Sequence, residues 1–325
     1  MKHHNIKYYF YYLFLFFVIF SSVSCIKNNR NNNNFYNSEI PIVFFTNNIS
    51  PTGLMLIYEA LKLEPKGNVA VKVHSGEPGN PHYLKPELIN ELVSRVNGTI
   101  IETNTAYGGP RSTTIEHYKV AEENGFTAIA PFVILDEIED LIFPIENGKH
   151  LKENFVGGRF NDYDFHIVLS HFKGHQMGGF GGALKNLSIG YASAMGKTNI
   201  HSAGRRGRNM WETNQIAFLE SMAEAALTIT QRTKGKILYI SVMNHLSVDC
   251  DCNGNPAPPN MADIGILGSL DPVALDQACI DLVFAAEDSC DLIERINSRN
   301  GLRTLEYAEE LEIGSRKYHL VNIDE

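Results

Sequence analysis

The sequence predicts an α/β protein whose mainly parallel sheet is flanked by helices. From about Ile40 onward, short apolar β-rich runs alternate with helical stretches, the pattern of successive βαβ units. The residues just after those runs are rich in glycine, histidine, carboxylate, cysteine and arginine, and such sheets bind ligands at that end of their strands. Hydrophobic residues make up 44 % and charged residues 20 % of the 325 positions, enough for a sizeable core. This composition excludes a disordered chain and a polytopic membrane protein. One sheet is expected, or two α/β lobes with a cleft between them and a boundary in 140–165.

Each element has a local reason. Ile42 to Thr46 is a short apolar strand. Ser50-Pro51 then starts a helix reaching Leu63, with Ser as N-cap and Pro at the first helical position. Val69 to Val73 is a strand. Pro86 to Val96 is a helix with Leu88, Leu92 and Val96 on one face. Thr99 to Glu102 is a strand, Ser112 to Asn124 a helix closed by Gly125, and Ala128 to Leu135 a strand. Leu141 to Val156 reads as a hairpin about Asn147-Gly148. Phe165 to Ser170, Ile237 to Val242 and Ile264 to Leu267 are buried strands, and Asp271 caps a helix from Pro272 to Ala286. The stretch between Ser170 and Lys234 is expected to hold no strand.

The N-terminus stands apart. Residues 1–24 hold Lys2 and Lys7, no acid, and an aromatic apolar run from Tyr8 to Phe20, which describes a secretory signal. The run is short for a membrane span. Cys25, after the small Ser24, sits where a lipoprotein carries its lipid-modified cysteine, and residues 25–39 read as a polar tether. Export to the periplasm, free or held to the membrane by that lipid, is expected. The net charge of −9 argues against a nucleic-acid partner, and five cysteines are too few for a disulfide scaffold.

Several groups carry chemistry. His171 and His175 are four apart after a strand. Gly178-Gly179-Phe180-Gly181-Gly182 precedes a helix expected to start near Ala183, and reads either as a flexible loop or as a backbone cradle for an anion, with Lys185 adding charge. Gly196 is expected to end that helix and return His201 to the same volume. Cys250 and Cys252 form a turn, a disulfide or a pair of metal ligands. Arg111, in a loop after a strand, suits a substrate carboxylate.

The strings His171-Phe-Lys-Gly-His175, Gly179-Phe-Gly-Gly-Ala-Leu-Lys-Asn186, Gly196-Lys197 with His201, Cys250-Asp-Cys252 and Asp271-Pro-Val-Ala-Leu-Asp276 together resemble the DUF362 family from about Val69 onward. Many members carry a ferredoxin-type insert. The corresponding Ser202–Gly235 holds no cysteine, so no iron–sulphur cluster is expected. His175, Lys185 and His201 are also similar, in order and spacing, to the lactate-racemase family that uses a nickel-pincer nucleotide. That likeness implies a catalytic His175, a cofactor-holding Lys185 and a metal-ligating His201, with Arg111 matching an early arginine. The family's second catalytic histidine has no counterpart, because Gly109-Pro110 precede Arg111.

The expectation is a cleft that binds a metal ion, of nickel or zinc type, or an anionic cofactor. His175 and Arg111 would be catalytic. Lys185, Gly179, Gly181, Gly182 and Lys197 would hold cofactor, and His171, His201, Cys250 and Cys252 metal. The substrate is expected to be a small acid undergoing redox or acid/base chemistry; the alternative is a non-catalytic surface lipoprotein that binds metal or ligand.

Overall fold

The computed structural model describes residues 40–205 and 209–324; the expected signal segment 1–24 and the expected tether 25–39 lie outside them. In chain order the elements are β1 (Ile42–Thr46), α1 (Pro51–Ala60), β2 (Val69–Lys72), α2 (Pro86–Arg95), β3 (Thr99–Glu102), α3 (Thr114–Glu123), β4 (Phe132–Ile134), β5 (Leu141–Pro144), β6 (Glu153–Val156), β7 (Phe165–His171), β8 (Lys173–His175) and β9 (Gly179–Gly181). There follow α4 (Ala183–Ser188), α5 (Ala194–His201), α6 (Gln215–Arg232), β10 (Ile237–Met243), β11 (Gly265–Ser269), α7 (Pro272–Ala285), α8 (Cys290–Ser298), α9 (Leu302–Glu310) and β12 (His319–Asn322).

Eight strands form one sheet in the order β12-β1-β11-β10-β7-β2-β3-β4. The pairs from β10 across to β4 are parallel, as is β1 with β12. β11 alone runs against both of its neighbours. The carboxyl ends of β2, β3, β7 and β10 therefore share one edge. Successive side chains alternate across the sheet. Val69 and Val71 enter a core with α1, α2 and α3, while Ala70 enters a core with α4, α6, α7, α8 and α9. The central strands β7 and β10 are buried along their whole length.

The start signals operate as read. Ser50 accepts from Gly53 N at 3.1 Å, and Asp271 accepts from Val273 N and Ala274 N at 2.8 and 2.9 Å. The hairpin at 141–156 turns through Asn147 at φ 59°. Two expectations fail. Lys173–His175 and Gly179–Gly181 pair as antiparallel strands inside the stretch expected to hold none. Lys173, His175 and Gly181 line a site while Phe180 packs into the core, so the two short strands lack the apolar run that marks a buried strand. Gly196 does not end a helix: α5 runs through it, with the Ser193 hydroxyl capping its amide at 3.1 Å. A Cβ there would sit 2.1 Å from Phe155 O, so the glycine serves the close approach of β6.

Candidate functional site

A cavity of about 450 Å³ opens at the carboxyl ends of β2, β3 and β7. Ten of the eleven site residues expected from sequence line it; Gly179 does not, its φ of +79° and lack of a Cβ serving instead the approach to Gly301.

One wall is a buried ion network. Lys72, at the end of β2, donates to Glu102 Oε2 at 2.8 Å, and Glu102 closes β3. Glu102 also accepts from Ser75 N at 2.9 Å and faces Arg111 Nη1 at 3.5 Å. Burial pushes the Glu102 carboxyl up, but Lys72 and Arg111 overcome it and hold it at about 2. Arg111 Nε donates to Glu77 at 2.8 Å, and its Nη2 lies 3.2 Å from both Tyr107 Oη and His74 Nε2. Its guanidinium is thus shared between two carboxylates of the chain itself, in place of the free fork expected for a substrate.

The three histidines expected from sequence differ in what each ring can offer. His171 Nε2 lies 2.6 Å from Asn244 O, which can only accept, and Nδ1 lies 3.0 Å from Asp251. Lys173 and His171 overcome the effect of burial and keep the Asp251 carboxyl below its ordinary range, so it accepts too. Both ring nitrogens of His171 are thus engaged by groups of the protein itself. His175 Nδ1 accepts from Met177 N at 3.2 Å and Gly178 N at 2.8 Å, leaving Nε2 as its protonated nitrogen. Burial, then Lys185, push its pKa well below 6.5. His201 is the reverse case. Its Nδ1 donates to Lys197 O at 2.7 Å, so Nε2 keeps a lone pair, the arrangement common to metal-ligating histidines and bases. The ring stacks on Phe218 at 4.8 Å, and burial lowers its pKa to about 4.

Lys185 projects from α4 into the same cavity, and its amine has no hydrogen-bond or ion-pair partner among the described residues. Burial, reinforced by Lys173, lowers its pKa to about 7. Lys197, lowered to about 8 by burial, donates instead to Thr103 Oγ1 and Ala192 O at 2.5 and 2.7 Å. The glycine cradle is filled from within. Asp276 of α7 accepts from Ala183 N at 2.7 Å and Leu184 N at 2.9 Å, and a Cβ at Gly182 would sit 2.3 Å from its Oδ1. The carboxyl group at the start of α4 therefore belongs to the protein.

Cys250 and Cys252 are joined as a disulfide with Cα atoms 5.1 Å apart. Both sulfurs and a ring nitrogen of His175 lie within 4.8 Å of one another, a set that could hold a metal ion. Sequence reasoning missed Lys72 and Glu102 as site residues. The available signal was a lysine inside the apolar run Val69–Val73 and a glutamate ending the neighbouring apolar strand, charges that a buried strand pair keeps only as partners.

Residues 69–281 match the family described as "Domain of unknown function (DUF362)". Among solved structures the chain is similar to the lactate racemase apoprotein from Thermoanaerobacterium thermosaccharolyticum, at 15 % identity and a TM-score of 0.36, over 61 % of this chain and 50 % of that one. It is also similar to a structural-genomics target protein from Thermotoga maritima, at 14 % identity and a TM-score of 0.38, over 80 % of this chain and 58 % of that one. The chain thus spans half to three-fifths of the length of these structures. No curated protein matches it. With the family match running from the first residue of β2 into α7, the chain belongs to the DUF362 family.

Proposed function

We propose that the cavity binds a small anionic compound, a carboxylate or a phosphate ester, and carries out acid/base chemistry on it as an enzyme. The observation that carries this reading is Lys185, an amine held in a cavity with no ion-pair partner among the described residues. Among the described residues five cationic side chains line the cavity, Lys72, Arg111, Lys173, Lys185 and Lys197, against Glu102 on the wall and Glu77 and Asp251 behind it. The surplus is positive, and an entering anion neutralises it.

The proton inventory fits catalysis. His201 offers a lone pair at Nε2, His175 offers an N–H, and the Lys185 amine exchanges protons near neutral pH. General acid/base catalysis needs such a set within reach of one substrate. The lactate-racemase likeness implies a metal-bearing cofactor. The residues fit one held by His201 Nε2 with Lys185 on its anionic part; when bound, it would supply Lewis-acid or redox chemistry.

The test is solvent deuterium incorporation into a panel of small hydroxy and oxo acids, followed by NMR, with calorimetric binding of the same acids and of phosphate esters. Binding with exchange, both lost in Lys185→Met, supports the enzyme. Binding without exchange supports the carrier, and no binding by the metal-loaded protein refutes the reading. We also propose that the protein acts outside the cytoplasm, on the strength of residues 1–25. Fractionation of the native host that recovered it uncleaved in the cytoplasm would refute that.

A further inference from the structure

The anion reading leaves Cys250 and Cys252 unused. Cys250 is buried, Cys252 is half-buried, and both line the cavity beside His175. The turn that carries them is held by contacts other than the sulfur–sulfur bond. Asp251, between them, is pinned by Lys173 and His171, and its carbonyl accepts from Glu77 N at 2.9 Å. Asn80 Nδ2 donates to Asn253 O at 2.9 Å, and Arg295 donates to Val248 O at 2.6 Å. β8 is tied to the same loop by Gly174 N to Ser247 O at 2.8 Å. A Cβ at Gly174 would stand 2.2 Å from Val248 O, so glycine is what lets the two backbones meet and brings His175 alongside the cysteines. Opening the disulfide therefore leaves both sulfurs in place.

We propose that Cys250, Cys252 and His175 form a redox-gated site for a borderline-soft divalent cation such as Zn²⁺, closed as the disulfide and opened by a dithiol reductant. The reductant gives two electrons and two protons. The Cys250–Cys252 bond breaks, two thiols form, and the dithiol closes into its own disulfide. The cation then displaces the two thiol protons, which pass to water, and takes the lone pair of the neutral His175 ring, whose single N–H proton stays on the other ring nitrogen; two metal–sulfur bonds and one metal–nitrogen bond form. Three protein ligands leave a fourth position for water or a ligand, the pattern of catalytic rather than structural zinc. Lys173 and Lys185, positive groups of the same cavity, favour the thiolates over the thiols.

The experiment titrates Zn²⁺ into the full chain against a chromophoric chelator, once as the disulfide and once after reduction by a dithiol and anaerobic desalting. Reduced protein is expected to bind about one Zn²⁺ at least roughly 100-fold more tightly than the disulfide form, more tightly as pH rises. Reduced Cys252→Ser should lose this gain, and reduced His175→Ala should bind about tenfold or more weakly. Should Cys252→Ser not fold, alkylation of the reduced wild-type pair removes the same ligands. Equal affinity in both redox states, no binding by the reduced form, or unchanged affinity in His175→Ala would each overturn the proposal.

Discussion

Replacing Lys185 by Met should make the protein more stable and its cavity unable to bind anions. The amine titrates near 7 in the folded protein instead of 10.5. A difference of 3.5 units, at about 1.36 kcal/mol each, places the cost of keeping this lysine at up to about 5 kcal/mol. About 4 kcal/mol of that acts at pH 7. Water at the half-buried side chain reduces it, so a gain of about 1–4 kcal/mol is expected on removing the amine, or roughly 2–8 °C in Tm. Met keeps the length of the side chain and leaves no cavity.

The pH dependence has a definite sign. The folded state resists protonation, so the penalty is complete below pH 7 and fades between pH 7 and 10.5 as the unfolded chain also loses its proton. The stability gap between variant and wild type, measured by urea unfolding at several pH values, should be widest at pH 7 and below and nearly closed at pH 10. A lysine kept for structure behaves oppositely: its loss destabilises. Lys185→Met proving less stable at pH 7, or a gap that does not change with pH, would refute both the desolvation argument and the anion reading built on it.

Asp276→Ala should lower stability by about 2–4 kcal/mol in chemical denaturation, because the amides of Ala183 and Leu184 lose their acceptor in a buried site. Burial raises the Asp276 carboxyl to about 7, so the protonated acid favours folding, and that contribution fades as pH rises from about 4 through 7; Asp276→Asn should flatten the profile there. Glu102→Gln leaves Lys72, 1 % exposed, as an unpaired buried charge and should cost about 3–5 kcal/mol by the same measurement. Gly182→Ala drives a Cβ to 2.3 Å from Asp276 Oδ1 and should cost about 1–3 kcal/mol, seen as a lower Tm.

Where an element obeys local rules, its boundaries could be read from the chain. β3 spans Thr99–Glu102 as its apolar run implies, and α7 starts where Asp271 and Pro272 direct. Direction could not be read: the run at 264–267 reads as a strand, but only the absence of a crossover helix between β10 and β11 makes an antiparallel return natural. The 18-residue α6 escaped notice because it is buried nearly all round, including two acids that look like surface residues. Both are satisfied from far along the chain, Glu220 by Lys149, His150 and Arg303, and Glu224 by the amides at 149–151 and Tyr307. A sequence shows the acids but not the partners that permit their burial.

The glycine run shows why a motif alone does not identify what recognises the ligand. Gly178–Gly182 has the composition of a backbone anion cradle, yet Asp276 already occupies the amides that open α4. An incoming anion must therefore be met by side chains. Arg111, the one guanidinium on the cavity wall among the described residues, is engaged by Glu77 and Glu102. What remains is ammonium groups, compact charges without the planar fork that matches a carboxylate. Such a wall discriminates by charge more than by shape. A phosphate ester, with more charge and more acceptor oxygens than a carboxylate of similar size, should bind at least as tightly, and displacement of one class by the other in a competition titration would measure that preference.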